Sequence, residues 1–204
     1  MTNNIISDKK RLFDTWAPSY DWTFPTIIYQ AIHQRLLTKV ELSETANVLD
    51  LGCGTGRLLD RLATKFPELR GTGLDLSSQM VRIARQKKRH RPRLIFLEGN
   101  AASLPFTENQ FDAVFNTISF LHYAHPEQVL REVKRVLNPQ GHFYLVDITV
   151  RNDLNCQILA NSPARAKFYS PKQREQLGDA AGLLCLGHYY LLGPVLLTIF
   201  AKPI

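Results

Sequence analysis

The 204-residue chain is the size of one domain, and with 45% of its residues hydrophobic it can bury a substantial core. Its three cysteines, Cys53, Cys156 and Cys185, are widely spaced with no CxxC pair, so they suggest neither a disulfide framework nor a zinc site. The net charge of +7 raises the question of an anionic partner, while a start without the basic stretch and long apolar run of a secretory signal makes the cytoplasm the expected compartment.

The first 46 residues are expected to form a helical lid, and residues 47–204 the ligand-binding domain. Phe13 to Phe24 is dense in aromatics, and Pro25 to Val40 has helical spacing, with Ile28, Ile32, Leu36 and Leu37 recurring on one face. The aromatics suit a lid or the core beneath it, and Trp16 and Phe24 suit the core at least as well.

Val48-Leu-Asp-Leu-Gly-Cys-Gly-Thr-Gly-Arg57 joins a buried apolar strand to a helix, expected over 57–66, through a loop with glycines at alternate positions. Glycine permits positive φ and lets a ligand lie against bare backbone, and the following helix turns its unpaired amides toward that ligand. The spacing is Gly-x-Gly-x-Gly, not the Gly-x-Gly-x-x-Gly of dinucleotide-binding folds. Asp50, two residues before the first glycine, would repel a pyrophosphate but could pair with a cationic amino group. Gly71-Thr-Gly-Leu-Asp75 reads as the next strand with an acid at its carboxyl end, the position that binds ribose hydroxyls in open α/β folds. Asp50, the glycines and Asp75 together suit an adenosine that carries an α-amino acid.

Further strands are expected near 93–98, 111–116, 142–148, 184–191 and 194–202, in a mainly parallel sheet with helices on both faces. Ser77 is placed to cap a helix through about Lys88, Pro126 opens one through about Leu137, and Gly141 is expected to terminate the latter. Seven basic residues lie between Arg82 and Arg93. They could meet RNA or an anionic membrane surface, but a solvated helix end stopped by Pro92 is the favoured reading, since no aromatics are interleaved for base stacking. The 150–170 segment is polar and aperiodic, and reads as a loop. Tyr189 to Ala201 is interrupted by Gly193-Pro194 and falls short of a membrane span, so it reads as an antiparallel hairpin.

At this point the chain resembles the class I S-adenosylmethionine-dependent methyltransferases. The resemblance rests on Val48 to Gly56, Asp75 to Met80, Glu98 to Phe106, Phe111 to Phe115 and Val133 to Gly141, in family order. It implies a Rossmann-like α/β fold with seven strands in the order 3-2-1-4-5-7-6 and the last strand antiparallel. Ala17-Pro-Ser-Tyr-Asp21 further resembles the start of the ubiquinone and menaquinone C-methyltransferases, which implies a cofactor contact for Tyr20. For the other cofactor residues the resemblance implies Asp50 near the amino acid moiety, backbone contact from Gly52, Cys53, Gly54 and Gly56, and Asp75 on the ribose. Leu76 and Met80 would flank the adenine, Asn100 and Ala101 face its edge, and Asn116 line the cofactor. Asparagine stands at 100 where the family commonly has aspartate, but its carbonyl can accept the same bond from the adenine amino group.

A sulfonium methyl is already electrophilic, so in-line displacement, which leaves S-adenosylhomocysteine, asks chiefly for positioning. If the acceptor must lose a proton, His122, His125 and His33 are candidate bases, His122 first, although each also suits a structural role. Asn116 to Tyr123 lacks the Asn/Asp-Pro-Pro-Tyr/Phe motif of enzymes that methylate exocyclic amines of bases. The expected acceptor is therefore a small organic molecule, apolar or ring-bearing. A tRNA or rRNA methyltransferase and a non-catalytic S-adenosylmethionine-binding regulator are the alternatives.

Overall fold

The computed structural model describes residues 10–11, 13–15, 25–87, 90, 92–150, 157–158 and 166–204. Tyr20, Trp16, Phe24, Cys156 and the basic residues Lys88, Arg89 and Arg91 lie outside the described residues. In chain order the elements are α1 (Pro25–Leu37), β1 (Asn47–Leu51), α2 (Arg57–Lys65), β2 (Arg70–Asp75), α3 (Ser78–Gln86), β3 (Leu94–Glu98) and β4 (Phe111–Thr117). A 3₁₀ turn (Phe120–His122), α4 (Pro126–Val136), β5 (Leu137–Ile148), α5 (Pro171–Ala180), β6 (Leu184–Leu192) and β7 (Val195–Ala201) follow.

The seven strands form one sheet in the order β3-β2-β1-β4-β5-β7-β6. Pairings from β3 through β5 are parallel, and β7 runs antiparallel to both β5 and β6. The three-residue step from Leu192 to Val195 dictates this, because no parallel crossover fits so short a connection. The central strands are apolar almost throughout because both faces are covered. Val48 packs with α1 and α2 through Ile32, Leu36, Leu58, Leu59 and Leu62, whereas Leu49 and Leu51 pack with α4 through Val129, Val133 and Val136.

Several expectations require correction. Ile32 and Leu36 are fully buried, but Ile28 on the same helix is 40% exposed. Gly141 does not terminate α4. That helix ends at Val136, and β5 starts at once with Leu137 in extended conformation. Residues 138–141 bulge out of the β4 pairing, and Gly141 is required because an added Cβ would lie 2.9 Å from Asn138 O and 3.0 Å from Asp112 O. The aperiodic 150–170 segment contains an antiparallel pair of two-residue strands, Gln157–Ile158 with Lys167–Phe168. The capping box Ser170/Gln173 then opens α5.

Three described residues of the basic cluster are engaged by the fold. Arg85 donates to Phe96 O, Lys87 to Thr55 O and Arg93 to Leu69 O, so these cations satisfy backbone carbonyls around α3. Among the described residues, no helix is long and apolar enough to cross a membrane.

Candidate functional site

The carboxyl ends of β1, β2 and β4 converge where the glycine loop leaves the sheet. Gly52, Gly54 and Gly56 have φ of 69°, 52° and 78°, a left-handed path that favours glycine. Two of them are also held by packing, since a Cβ on Gly52 would fall 2.3 Å from Ser119 Oγ and one on Gly56 would fall 2.7 Å from the Phe96 ring. A Cβ on Gly54 would meet nothing within 4 Å, so this residue presents bare backbone to open space. Gly52 N and Cys53 N donate to Leu74 O at 2.8 and 3.2 Å, which ties the loop to β2.

Asp75 organises the same edge. Its Oδ2 accepts from Gly54 N and its Oδ1 from Ser77 N, both at 2.8 Å. Ser77 caps α3 by accepting from Met80 N at 3.2 Å, and its hydroxyl donates to Asp14 at 2.5 Å. Burial pushes the Asp75 carboxyl above the usual carboxylate range against the pull of these amides. Asp50 is 2% exposed, and burial reinforced by the nearby Asp75 holds its carboxyl well above that range.

Two cavities adjoin the loop. The first is walled by Gly52, Gly54, Asp75, Leu76, Met80, Asn100, Ala101, Ser119, His122 and His125, with Phe13 from the N-terminal region on its rim. The second is bordered by Asp50, Cys53, Gly54, Thr55 and Arg57, with Tyr29 and His33 of α1 opposite. The structure thus gathers most of the candidate residues at one sheet edge, although they run from His33 to His125 along the chain.

Cys53 stays in the loop with its side chain packed inside, and Asn100 and Asn116 are placed differently. The Cys53 thiol packs under Gly73, where an added Cβ would lie 2.8 Å from Sγ, and burial raises it well above the ordinary thiol value. Asn100 Oδ1 accepts from Ala102 N at 2.9 Å, so the oxygen expected to face an adenine already shapes its own turn. Asn116 is fully buried and borders neither cavity. It stands one layer behind the wall, and its Nδ2 lies 2.9 Å from Leu51 O, 2.6 Å from Ser119 Oγ and 2.8 Å from Tyr123 OH.

The candidate bases separate by environment. His122 borders the first cavity and meets the Phe13 ring edge-on at 5.2 Å. His125 is the N-cap of α4, but its side chain makes no capping bond. His33 is buried with Nδ1 2.7 Å from Arg61, and burial together with Arg61 and Arg57 lowers it to about 3, so it is neutral near pH 7.

Sequence reasoning missed Tyr29, Ser119, Tyr123 and Asp147. Tyr123 and Ser119 are paired across 3.2 Å on the cavity wall, and burial raises the Tyr123 phenol. Asp147, at the carboxyl end of β5, accepts from Leu121 N at 2.8 Å and so holds the 3₁₀ turn that carries His122. An acid ending a strand was the available signal for Asp147. No local pattern marks Tyr29.

A family model described as a methyltransferase domain matches residues 48–141. A demethylmenaquinone methyltransferase of Listeria welshimeri is 32% identical over 192 residues, which covers 86% of this chain and 79% of that protein. A demethylmenaquinone methyltransferase of Thermotoga maritima is 34% identical over 145 residues, and the match spans 70% of this chain but only 62% of that protein. Among solved structures, a chain from the complex of the Haloferax volcanii Trm112 methyltransferase activator aligns with a TM-score of 0.83 at 23% identity, covering 94% of this chain and 98% of that one. At that identity the likeness speaks to the fold alone.

Proposed function

Because the chain belongs to the class I S-adenosylmethionine-dependent methyltransferases of the menaquinone methyltransferase-like group, we propose that it methylates a small, apolar, ring-bearing acceptor. The observation that carries the reading is the pair of carboxyls, the buried Asp50 and the half-buried Asp75, on either side of a loop whose Gly54 presents bare backbone.

When bound, S-adenosylmethionine supplies a methyl group already activated by its sulfonium. This chain's part is to hold and orient. Asp75, on the wall of the first cavity, accepts from ribose hydroxyls. Leu76 and Met80 pack the adenine face, and Asn100 and the Ala101 amide meet its edge. Asp50 and the second cavity take the amino acid end, where a cationic amino group would restore the carboxyl to its ionised form. Gly52, Cys53 and Gly56 fix the loop, and Asn116 supports it from behind through Leu51 O. Tyr20 would close the site from the N-terminal region, of which residues 1–46 act as the lid. Phe13 on one cavity and Tyr29 on the other support that role.

The wall bearing Ser119, His122 and Tyr123 faces the acceptor. Its aromatic and small polar character suits a ring with an ionisable hydroxyl, and His122 is the group placed to take that proton. The demethylmenaquinone methyltransferases among the relatives point to the same acceptor class. Three of the clustered cations are occupied with backbone carbonyls, which disfavours an RNA acceptor.

Calorimetric titration tests the reading directly. Wild type should bind both S-adenosylmethionine and S-adenosylhomocysteine, and Asp75→Ala should weaken both by about 100-fold, the worth of a pair of hydrogen bonds to a charged group. Methyl transfer to a demethylated naphthoquinol, absent with RNA, checks the acceptor class. Equal binding by wild type and Asp75→Ala would overturn the cofactor assignment.

A further inference from the structure

We propose that Glu175, Cys185 and His188 form a zinc-binding site between α5 and the edge strand β6, outside both cavities of the glycine loop. The site would take zinc or another divalent ion of similar ligand preference. It is independent of the methyl-transfer reading.

Cys185 and His188 are three residues apart on a strand, a spacing that puts side chains on opposite faces when the strand is regular. This strand is not regular. Its register against β7 shifts between Cys185, opposite Phe200, and Gly187, opposite Ile199. Gly187 has a φ of 153°, which favours glycine. The irregularity turns Cys185 and His188 to the same side, as bulges characteristically re-aim side chains. Glu175 of α5 meets them there. Cys185 Sγ is 3.9 Å from His188 Nε2, and His188 Nε2 is 2.9 Å from Glu175 Oε1. All three donor atoms lie within 4.8 Å of one another.

These separations approximate one face of a zinc tetrahedron. With Zn–S near 2.3 Å and Zn–N and Zn–O near 2.0 to 2.1 Å, tetrahedral angles separate sulfur from nitrogen by about 3.6 Å and nitrogen from oxygen by about 3.3 Å. A small rotation of the half-exposed Glu175 reaches that geometry. The mix of thiolate, imidazole and carboxylate suits a borderline cation better than calcium or magnesium.

The surroundings are arranged as around a metal-bound histidine. His188 Nδ1 lies 2.9 Å from Thr198 Oγ1, which fixes the ring and aims Nε2 at the other two donors. Arg174 Nη1 reaches the same hydroxyl at 3.5 Å, which helps to hold Thr198 Oγ1 in place beside the ring. Nε2 pairs with the Glu175 carboxylate at 2.9 Å, and a bound cation would take the place of the proton between them. Glu175 and Cys185 also line a surface cavity, which gives an ion an entry path and leaves a fourth position for water.

Binding would displace the Cys185 thiol proton and any proton on Nε2. Protons compete with the metal for these ligands, so affinity should fall as pH falls. The bound ion would clamp α5 to the edge of the sheet.

Zinc titration of the chelator-treated full chain is expected to show one site per chain with micromolar or tighter affinity. Cobalt(II) should give a thiolate-to-metal charge-transfer band. Cys185→Ser should remove that band, Cys185→Ser and His188→Gln should each weaken zinc by about 100-fold, and Thr198→Val by about 10-fold. Zinc should raise the Tm of wild type and not of Cys185→Ser, with circular dichroism of the metal-free proteins as the folding control; His188→Gln serves if Cys185→Ser does not fold. No stoichiometric site in folded wild type, or a cobalt spectrum unchanged in both ligand variants, would overturn the assignment.

Discussion

Three strands of this sheet carry an acid at or next to the carboxyl end, and these acids differ in what they do. Asp50 and Asp75, at β1 and β2, border cavities through a loop with little side chain in the way. Asp147, at β5, borders neither; its Oδ2 takes Leu121 N at 2.8 Å and its Oδ1 takes Ile148 N at 2.7 Å. Nearby, Arg174 is 2% exposed and donates to Leu196 O, Asp147 O and Ile148 O. The same residue type at the same kind of position thus faces a cavity at β1 and β2 and is enclosed at β5, although backbone amides claim Asp75 and Asp147 alike. Burial alone does not distinguish the two roles.

The largest effect expected from this contrast is a pH dependence at Asp147. Burial outweighs the attraction of Arg174 and raises its carboxyl from 3.8 to about 6. A folded value above the unfolded one means that the folded state holds its proton more tightly. The contribution of this group to stability is therefore fully present below 3.8 and is lost as pH rises to about 6. A displacement of that size corresponds to about 3 kcal/mol. Urea unfolding of wild type and Asp147→Asn across this window should show a wild-type stability that declines relative to the variant as pH rises. Parallel curves would mean that Asp147 is not perturbed as the contrast requires.

A smaller effect separates the two acids of the open edge. Asp50→Asn removes the charge offered to an amino group and should weaken S-adenosylmethionine by about 10-fold. Methylthioadenosine, which lacks the amino acid, should bind this variant as it binds wild type, whereas Asp75→Ala should weaken it too. If both ligands lose affinity equally in Asp50→Asn, the division of labour between the cavities fails.

The smallest effect concerns the helix that starts beside Asp75. Ser77→Ala removes the cap on Met80 N and the contact with Asp14, and should cost about 1 kcal/mol in thermal or denaturant unfolding. A loss of methyl-donor affinity far beyond that would show that the cap also serves the site.

Much of this architecture was legible because it depends on local chemistry. The alternate glycines, the acids at strand ends and the Gly193-Pro194 hairpin are each set by φ preference, burial or connection length, which neighbouring residues express directly. Gly141 misled because a glycine after a helix is most often its terminator, yet here it answers to Asp112 O on another strand. Asn116 misled for a related reason: it does end β4 near the cofactor edge, but Ser119 and Tyr123 stand in front of it.

The sequence by itself determined the sheet, the strand order through its resemblance, and the glycine loop that borders both cavities, because a bare loop must be built from consecutive residues. Tertiary structure alone decided which side chains face the loop from afar. Tyr29 and His33 reach it from α1, Asp147 sets the turn under His122, and a strand irregularity brings Cys185 and His188 to Glu175. Contacts between distant segments depend on packing and register, and no local pattern of residues carries that information.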